Sequence, residues 1–336
     1  MTKNNNYNHL FHIWLTSLTF LVGLIIIVGG LTRLTDSGLS ITAWELFTGI
    51  LPPLNNEVWI EYYNSYKKIP QYSLLNPNMT LDEFKFIFLW EYAHRLLARF
   101  IGLFFIIPFL FFIFNDFLEK QMIIKLIFVF ILILIQGTVG WYMVMSGLVE
   151  NTTVSHYRLS IHLFIAFSIL ASLFWILLNS VNKMRKNFFF FNTSHFTLQF
   201  LLILLFIQII IGAFVSGLDA GKVYQTWPLM NGSYFPNDIS SNDFFNLNEP
   251  SYVQFIHRNV AYLIFFVSIF LGLNIYKKKN LSLFNSFKLY FFIIITQITL
   301  GILVLIAGAN IYLASMHQIS SIFLILTALN LYHRFI

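Results

Sequence analysis

The sequence predicts an all-α polytopic membrane protein. It is read as eight transmembrane helices in two tandem four-helix bundles, with pseudo-two-fold symmetry along the membrane normal. Three observations predict it. Of 336 residues, 58% are hydrophobic and 10% charged, with mean hydropathy +0.74, whereas soluble domains carry about 25% charged residues. Apolar runs of the ~20 residues that cross a bilayer recur along the chain. Motifs of the first half return in the second.

The runs lie at about 10–30, 84–114, 121–145, 157–179, 196–217, 252–276, 286–308 and 312–332. Helices are expected, because a lone strand leaves backbone groups unpaired in lipid. The first run is read as a span and not as a cleaved signal peptide: it is too long and continues into Gly29-Gly30-Leu31-Thr32-Arg33 without an Ala-x-Ala-like site. The 40 phenylalanines are assigned to packing against lipid and neighbouring helices. With no cysteine, disulfides, zinc thiolates, Fe–S clusters and thioether-attached haem are excluded. Any metal is left to His, carboxylate or a cofactor ring.

The net charge of +6 does not indicate nucleic acid, since the lysines fall mainly at helix ends. Lys120 and Lys125, then Lys183, Arg185 and Lys186, then Lys277, Lys278, Lys279 and Lys288 occupy alternate short connections, with Lys3 and Arg334 on the same side. The positive-inside rule therefore places both termini in the cytoplasm and two long loops, about 31–83 and 218–251, outside. The second loop is acidic on balance, with Asp219, Asp238, Asp243 and Glu249 against Lys222. In the first loop Trp44, Trp59, Tyr62, Tyr63, Tyr66 and Tyr72 are spaced among charges, as in short amphipathic helices at an interface. They form a membrane-resting cap, some of whose residues line a ligand cleft in the alternative reading.

The duplication is visible in several places. Gly29-Gly30-Leu31…Asp36-Ser37-Gly38…Trp44 is echoed by Gly212-Ala213…Gly217-Leu218-Asp219…Trp227, and Gln136-x-x-x-Gly140 by Gln297-x-x-x-Gly301. A four-helix unit keeps both halves in one orientation, unlike an inverted transporter repeat. Gly137, Gly140, Gly212 and Gly301 are read as packing residues that let helices approach. The expected division is 1–180 and 181–336.

Four histidines occupy equivalent places. His94, His162, His257 and His317 each lie about two turns inside the outer end of an even-numbered span. A lone membrane histidine is satisfied by packing and hydrogen bonding. Four at matched depth in a duplicated frame suit pairs of axial ligands on one porphyrin iron per bundle. His9, His12, His195 and His333 lie at cytoplasmic helix ends, where snorkelling or headgroup contact suffices, and His156 points away from His162. Arg95 and Arg258 directly follow the first histidine of each pair, with Arg99 one turn on. Intramembrane arginines need partners, and both haem propionates and outer-loop acids or lipid phosphate qualify.

Glu91 discriminates between the halves. It lies one turn before His94 on the same helix face, and Gln254 stands at its counterpart before His257. A carboxylate beside the ring favours proton chemistry in the first half, and a neutral amide leaves electron transfer to the second. A salt bridge to Arg95 is the structural alternative.

The run Gly30-Leu31-Thr32-Arg33-Leu34-Thr35-Asp36-Ser37-Gly38-Leu39-Ser40 resembles the signature of the haem A synthases of proteobacteria and mitochondria. So do Pro52-Pro53-Leu54-Asn55, Trp90-Glu91-Tyr92-Ala93-His94-Arg95-Leu96-Leu97, Tyr157-Arg158-Leu159-Ser160-Ile161-His162-Leu163, and Tyr224 through Gly232 with Gln254-Phe255-Ile256-His257-Arg258. The resemblance covers essentially the whole chain. It implies oxidation of the C8 methyl of haem O to a formyl group, giving haem A for terminal oxidases, with water as oxygen source. It implies that His94 and His162 hold the substrate or product haem, that His257 and His317 hold haem b, and that Glu91 is the catalytic carboxylate. It further implies a bacterial inner-membrane protein with periplasmic long loops, a haem O synthase and an electron acceptor as partners, lipid contacts, and a homo-oligomer as one option. The cysteine pair of some bacterial members is missing here, which removes any thiol role. The alternative reading is a diheme b-type membrane electron carrier or quinol oxidoreductase, which would have no use for Glu91.

Overall fold

The computed structural model describes residues 7–44, 48–149, 151–188, 195–240, 245–277 and 279–336; Lys3, Asp243 and Lys278 lie outside the described residues. Among those described, the regular structure is all helical. The eight spanning helices are α1 (Asn8–Leu34), α4 (Leu81–Phe114), α5 (Lys120–Met145), α6 (His156–Val181), α7 (Phe196–Gly217), α8 (Pro250–Lys277), α9 (Leu281–Ile306) and α10 (Ile311–Phe335). Two short helices, α2 (Asn56–Tyr66) and α3 (Pro70–Leu75), lie in the first long loop. Even the shortest span, 22 residues, is about 33 Å long, enough for a hydrocarbon core of about 30 Å. The protein is a multi-pass membrane protein. Phe20, Phe266 and Phe292 are exposed on their helices, while Phe11, Phe84 and Phe105 are buried, so phenylalanine serves both lipid-facing and packing positions.

Two compact units divide the chain, Thr2–Ile169 and Leu170–Ile336. In the first, α1 packs on α4, and α4 on α5 and α2. In the second, α7 packs on α8 and α10, and α9 on α8 and α10.

The first long loop has a hydrophobic core of its own. Leu39, Ile41, Tyr66 and Ile69 bury against Phe84, Ile87 and Phe88 of α4, with Trp59, Tyr62, Tyr63 and Tyr72 around them. This works because α4 starts earlier than hydropathy indicates. Thr80 and Glu83 form a capping box: Glu83 N–H donates to Thr80 Oγ1 at 3.3 Å, and Thr80 N–H donates to Glu83 Oε2 at 2.7 Å. The helix therefore rises beyond the apolar run, and His94 falls in its fourth turn while His162, His257 and His317 fall in the second turns of theirs.

At the other end of the second unit, His333 is buried and not at a headgroup position. Its Nε2 lies 3.2 Å from Asn179 Oδ1, which also accepts from Lys186 N–H at 3.1 Å. The Lys186 ammonium donates to the His333 carbonyl, and burial pulls Lys186 below the usual lysine range. One sequence position thus serves as a clasp besides carrying topological charge.

Candidate functional site

Each of the four matched histidines faces a glycine on the preceding spanning helix. A methyl group placed on Gly29 of α1 would lie 2.9 Å from His94 Cε1, and one on Gly140 of α5 would lie 3.0 Å from His162 Cε1. In the second unit the distances are 3.3 Å from Gly212 of α7 to His257 and 3.0 Å from Gly301 of α9 to His317. The imidazoles fill the space that a side chain would need. His94 and His162 lie in the first unit and His257 and His317 in the second, with the members of each pair within electrostatic range of one another.

Glutamines one turn before three of these glycines reach the same rings. The amide nitrogens of Gln136, Gln208 and Gln297 lie 3.1, 3.4 and 3.3 Å from Nε2 of His162, His257 and His317. At the matching position in α1 stands Ile25. On the opposite edge of the ring, His317 Nδ1 is 3.1 Å from the Gln297 carbonyl. A carbonyl only accepts and an amide nitrogen only donates, so both contacts require the proton on Nδ1 and a lone pair on Nε2. That lone pair is what a metal ligand offers. Among the described residues no group of three or more His, Asp or Glu is placed to hold a bare metal ion. Paired half-buried imidazoles, each beside a glycine and at His317 with Nε2 as acceptor, fit a metal carried in a ring.

The two long loops are clamped to the histidine helices in the same way. Arg95 donates from Nη2 to the Ile41 carbonyl at 2.9 Å and from Nη1 to the Ala43 carbonyl at 3.1 Å. Arg258 donates from Nη2 to the Tyr224 carbonyl at 3.1 Å and from Nη1 to the Thr226 carbonyl at 3.0 Å. Each clamped segment follows a left-handed aspartate, Asp36 and Asp219, both at φ 51°, and leads to a tryptophan, Trp44 or Trp227. The Arg95 guanidinium lies 5.6 Å from the Trp44 ring centre, and Trp227 Nε1 donates to Tyr262 at 3.0 Å. Among the described residues the partners of Arg258 are backbone carbonyls, and Arg95 has backbone carbonyls and Glu91. Arg258 Nε is buried without an acceptor among the described residues.

Glu91 and Gln254 sit at the same corner of these clamps and are both buried. Glu91 Oε2 accepts from Ser40 Oγ at 2.7 Å and from Ile41 N–H at 2.9 Å, and Oε1 accepts from Arg95 Nη2 at 2.6 Å. The ion pair expected as an alternative is present, within a wider set of donors. Gln254 has the reverse polarity: its amide donates to the Tyr224 carbonyl at 2.9 Å. A fixed carboxylate stands in one half and a neutral donor in the other. Ile41, Tyr62, Phe88, Tyr92, Arg95 and Arg99 line a narrow cleft beside this corner, so of the cap aromatics singled out in the sequence Tyr62 borders it.

In the second long loop, Tyr224 and Ser251 donate to the two oxygens of Asp238 at 2.6 and 2.5 Å. Burial opposes the charge, but these bonds hold the Asp238 carboxyl below its usual range. His156 opens α6 with its ring 4.4 Å from Tyr157. Sequence reasoning missed Ser40, Ile25 and the pairing of each glycine with a histidine. Only the repeated Gln-x-x-x-Gly hinted at the last.

Residues 12–329 match the family of cytochrome oxidase assembly protein. The chain is 51% identical to a protein of Pelagibacter ubique (strain HTCC1062) named Heme A synthase, over 95% of each chain. It is 42% identical to the Heme A synthase of Rickettsia bellii (strain RML369-C), over 93% of this chain and 94% of the relative. It is likewise 42% identical to that of Bradyrhizobium diazoefficiens, over 91% and 86%.

Proposed function

This chain belongs to the cytochrome oxidase assembly protein family, and on that premise we propose that it converts haem O to haem A by oxidising a methyl group to a formyl group. It is an oxidoreductase of haem biosynthesis. The observation that carries the reading is the difference at one corner of two similar clamps, a buried carboxylate at Glu91 and a neutral amide at Gln254.

His94 and His162 would hold the substrate haem in the first half, residues 1–180, and His257 and His317 would hold haem b in the second, residues 181–336. The glycine cradles and the acceptor state of Nε2 support this assignment. Haem b, when bound, supplies one-electron transfer. Arg258, with a buried Nε–H lacking an acceptor among the described residues, and Arg95 are suited to meet propionates at the outer end.

With water as oxygen source, conversion of methyl to formyl consumes one water and releases four protons and four electrons overall. A first hydroxylation gives the alcohol, and a second gives a hydrate that loses water. Glu91 is held by three donors, and with haem O bound beside His94 its fixed negative charge would stabilise positive charge developing on the methyl carbon. Oε1 accepts only from Arg95 and keeps a lone pair free, so Glu91 is equally able to take a proton from attacking water or to stabilise positive charge.

The lysine pattern supports a bacterial inner-membrane setting with cytoplasmic termini and periplasmic loops. A haem O synthase and a membrane electron acceptor are the partners this chemistry needs; self-association is compatible with it. The relatives' names give no support to a diheme electron carrier. Pyridine haemochrome analysis of the purified protein, with and without a haem O supply, tests the choice. Haem A should accumulate with the supply; haem b alone under both conditions would favour the carrier.

A further inference from the structure

The four glycines beside the histidines are not explained by close helix approach alone. A methyl group added to Gly102 in α4 or Gly137 in α5 would meet nothing within 4 Å among the described residues, whereas one on Gly29, Gly140, Gly212 or Gly301 would meet an imidazole at 2.9–3.3 Å. The selection is for the histidine.

We propose that these four glycines are positioning residues that set the tautomer and orientation of the axial histidines, an inference that rests on the ligand assignment above. On a helix, the side chain at i+4 stands over the carbonyl of residue i. Removing that side chain opens a notch through which an imidazole from the next helix reaches the carbonyl. His317 shows the completed arrangement: its Cε1 sits over Gly301, and Nδ1 is 3.1 Å from the carbonyl of Gln297, four residues earlier. Nε2 is then left as the lone-pair edge. The same spacing places the carbonyls of Ile25, Gln136 and Gln208 beneath the other notches. The buried Nδ1 atoms of His94, His162 and His257 have no hydrogen-bond partner among the described residues, so His317 alone closes this bond, and at the other three the carbonyl four residues before the glycine is the acceptor that the spacing offers. Backbone serves here as the outer partner that metal-bound histidines require, one that tolerates no methyl group in the way.

The test uses the full-length protein reconstituted with hemin, comparing Gly301→Ala and Gly212→Ala with Gly137→Ala and the parent. The readings are the low-spin electron paramagnetic resonance signal and the rate of haem transfer to apomyoglobin. Gly301→Ala should shift or lose the low-spin signal and release haem about 10–100-fold faster. Gly212→Ala, with its looser 3.3 Å contact, should do so more mildly, and Gly137→Ala should match the parent. An unchanged signal and release rate in Gly301→Ala would overturn the role. Should that variant fail to accumulate, Gly212→Ala decides by the same readings. A parent without low-spin haem would overturn the ligand assignment itself, and with it this inference.

Discussion

Arg95 ties the carbonyl of Ile41 to the helix that carries His94, and Arg258 repeats the bond to Tyr224 beside His257. Two copies of one clamp have kept their geometry while a carboxylate and an amide have diverged at its corner. The energetic and chemical roles of that corner are separable by mutation.

Glu91→Gln keeps the side-chain size and the site's packing but removes the charge. We expect haem to remain bound while haem A formation falls about 100-fold or more. Haem extracted from membranes and separated by chromatography measures it; parental haem A levels would remove the catalytic assignment.

His257→Ala should abolish the low-spin b-type spectrum of the second half and leave the chain folded, because Gly212 opposite it accepts a smaller neighbour without strain. An unaltered reduced-minus-oxidised spectrum would show that another residue is the ligand.

The two arginines should differ in their effect on stability. Arg95→Ala leaves the buried Glu91 carboxylate without its cation, a loss of about 3–5 kcal/mol at a site where both side chains are largely hidden. Arg258→Ala strands only carbonyl acceptors, about 1–3 kcal/mol. Thermal unfolding in detergent ranks them, and an equal or larger loss for Arg258→Ala would contradict the account.

The cap formed by the first long loop should loosen in alkali. Burial and the hydrogen bond with Tyr72 push the Tyr63 hydroxyl from 10.0 up to about 12, while it donates to the Met79 carbonyl. A raised folded value means that this contribution is intact below pH 10 and is lost as pH climbs towards 12. In ultraviolet titration, Tyr63→Phe should delete a component near pH 12; deletion of one near pH 10 would refute the burial argument.

An external protease added to spheroplasts should cut the 218–251 loop. Cleavage only after lysis would reverse the orientation drawn from Lys120, Lys183 and Lys277.

The spans are legible because lipid demands long apolar runs, and the histidine pairs because duplication sets them in register. What the sequence hides depends on backbone. Residue order offers Arg95 and Arg258 side-chain, headgroup or propionate partners, since a carbonyl leaves no mark in the residue string. The glycines read as generic packing because the neighbour that needs the space lies on another helix. The true start of α4 is hidden from hydropathy, which ends where the capping box still extends the helix.

That extension has a mechanical meaning. Phe84 and Phe88, which anchor the cap, and Glu91 and His94 stand on one unbroken rod. The cap cannot swing by bending between its anchor and the histidine. Ser40 and Ile41 fasten the cap to the same rod a second time, by hydrogen bonds to Glu91 and Arg95, so the acidic corner also sets the distance between the cap and the histidine.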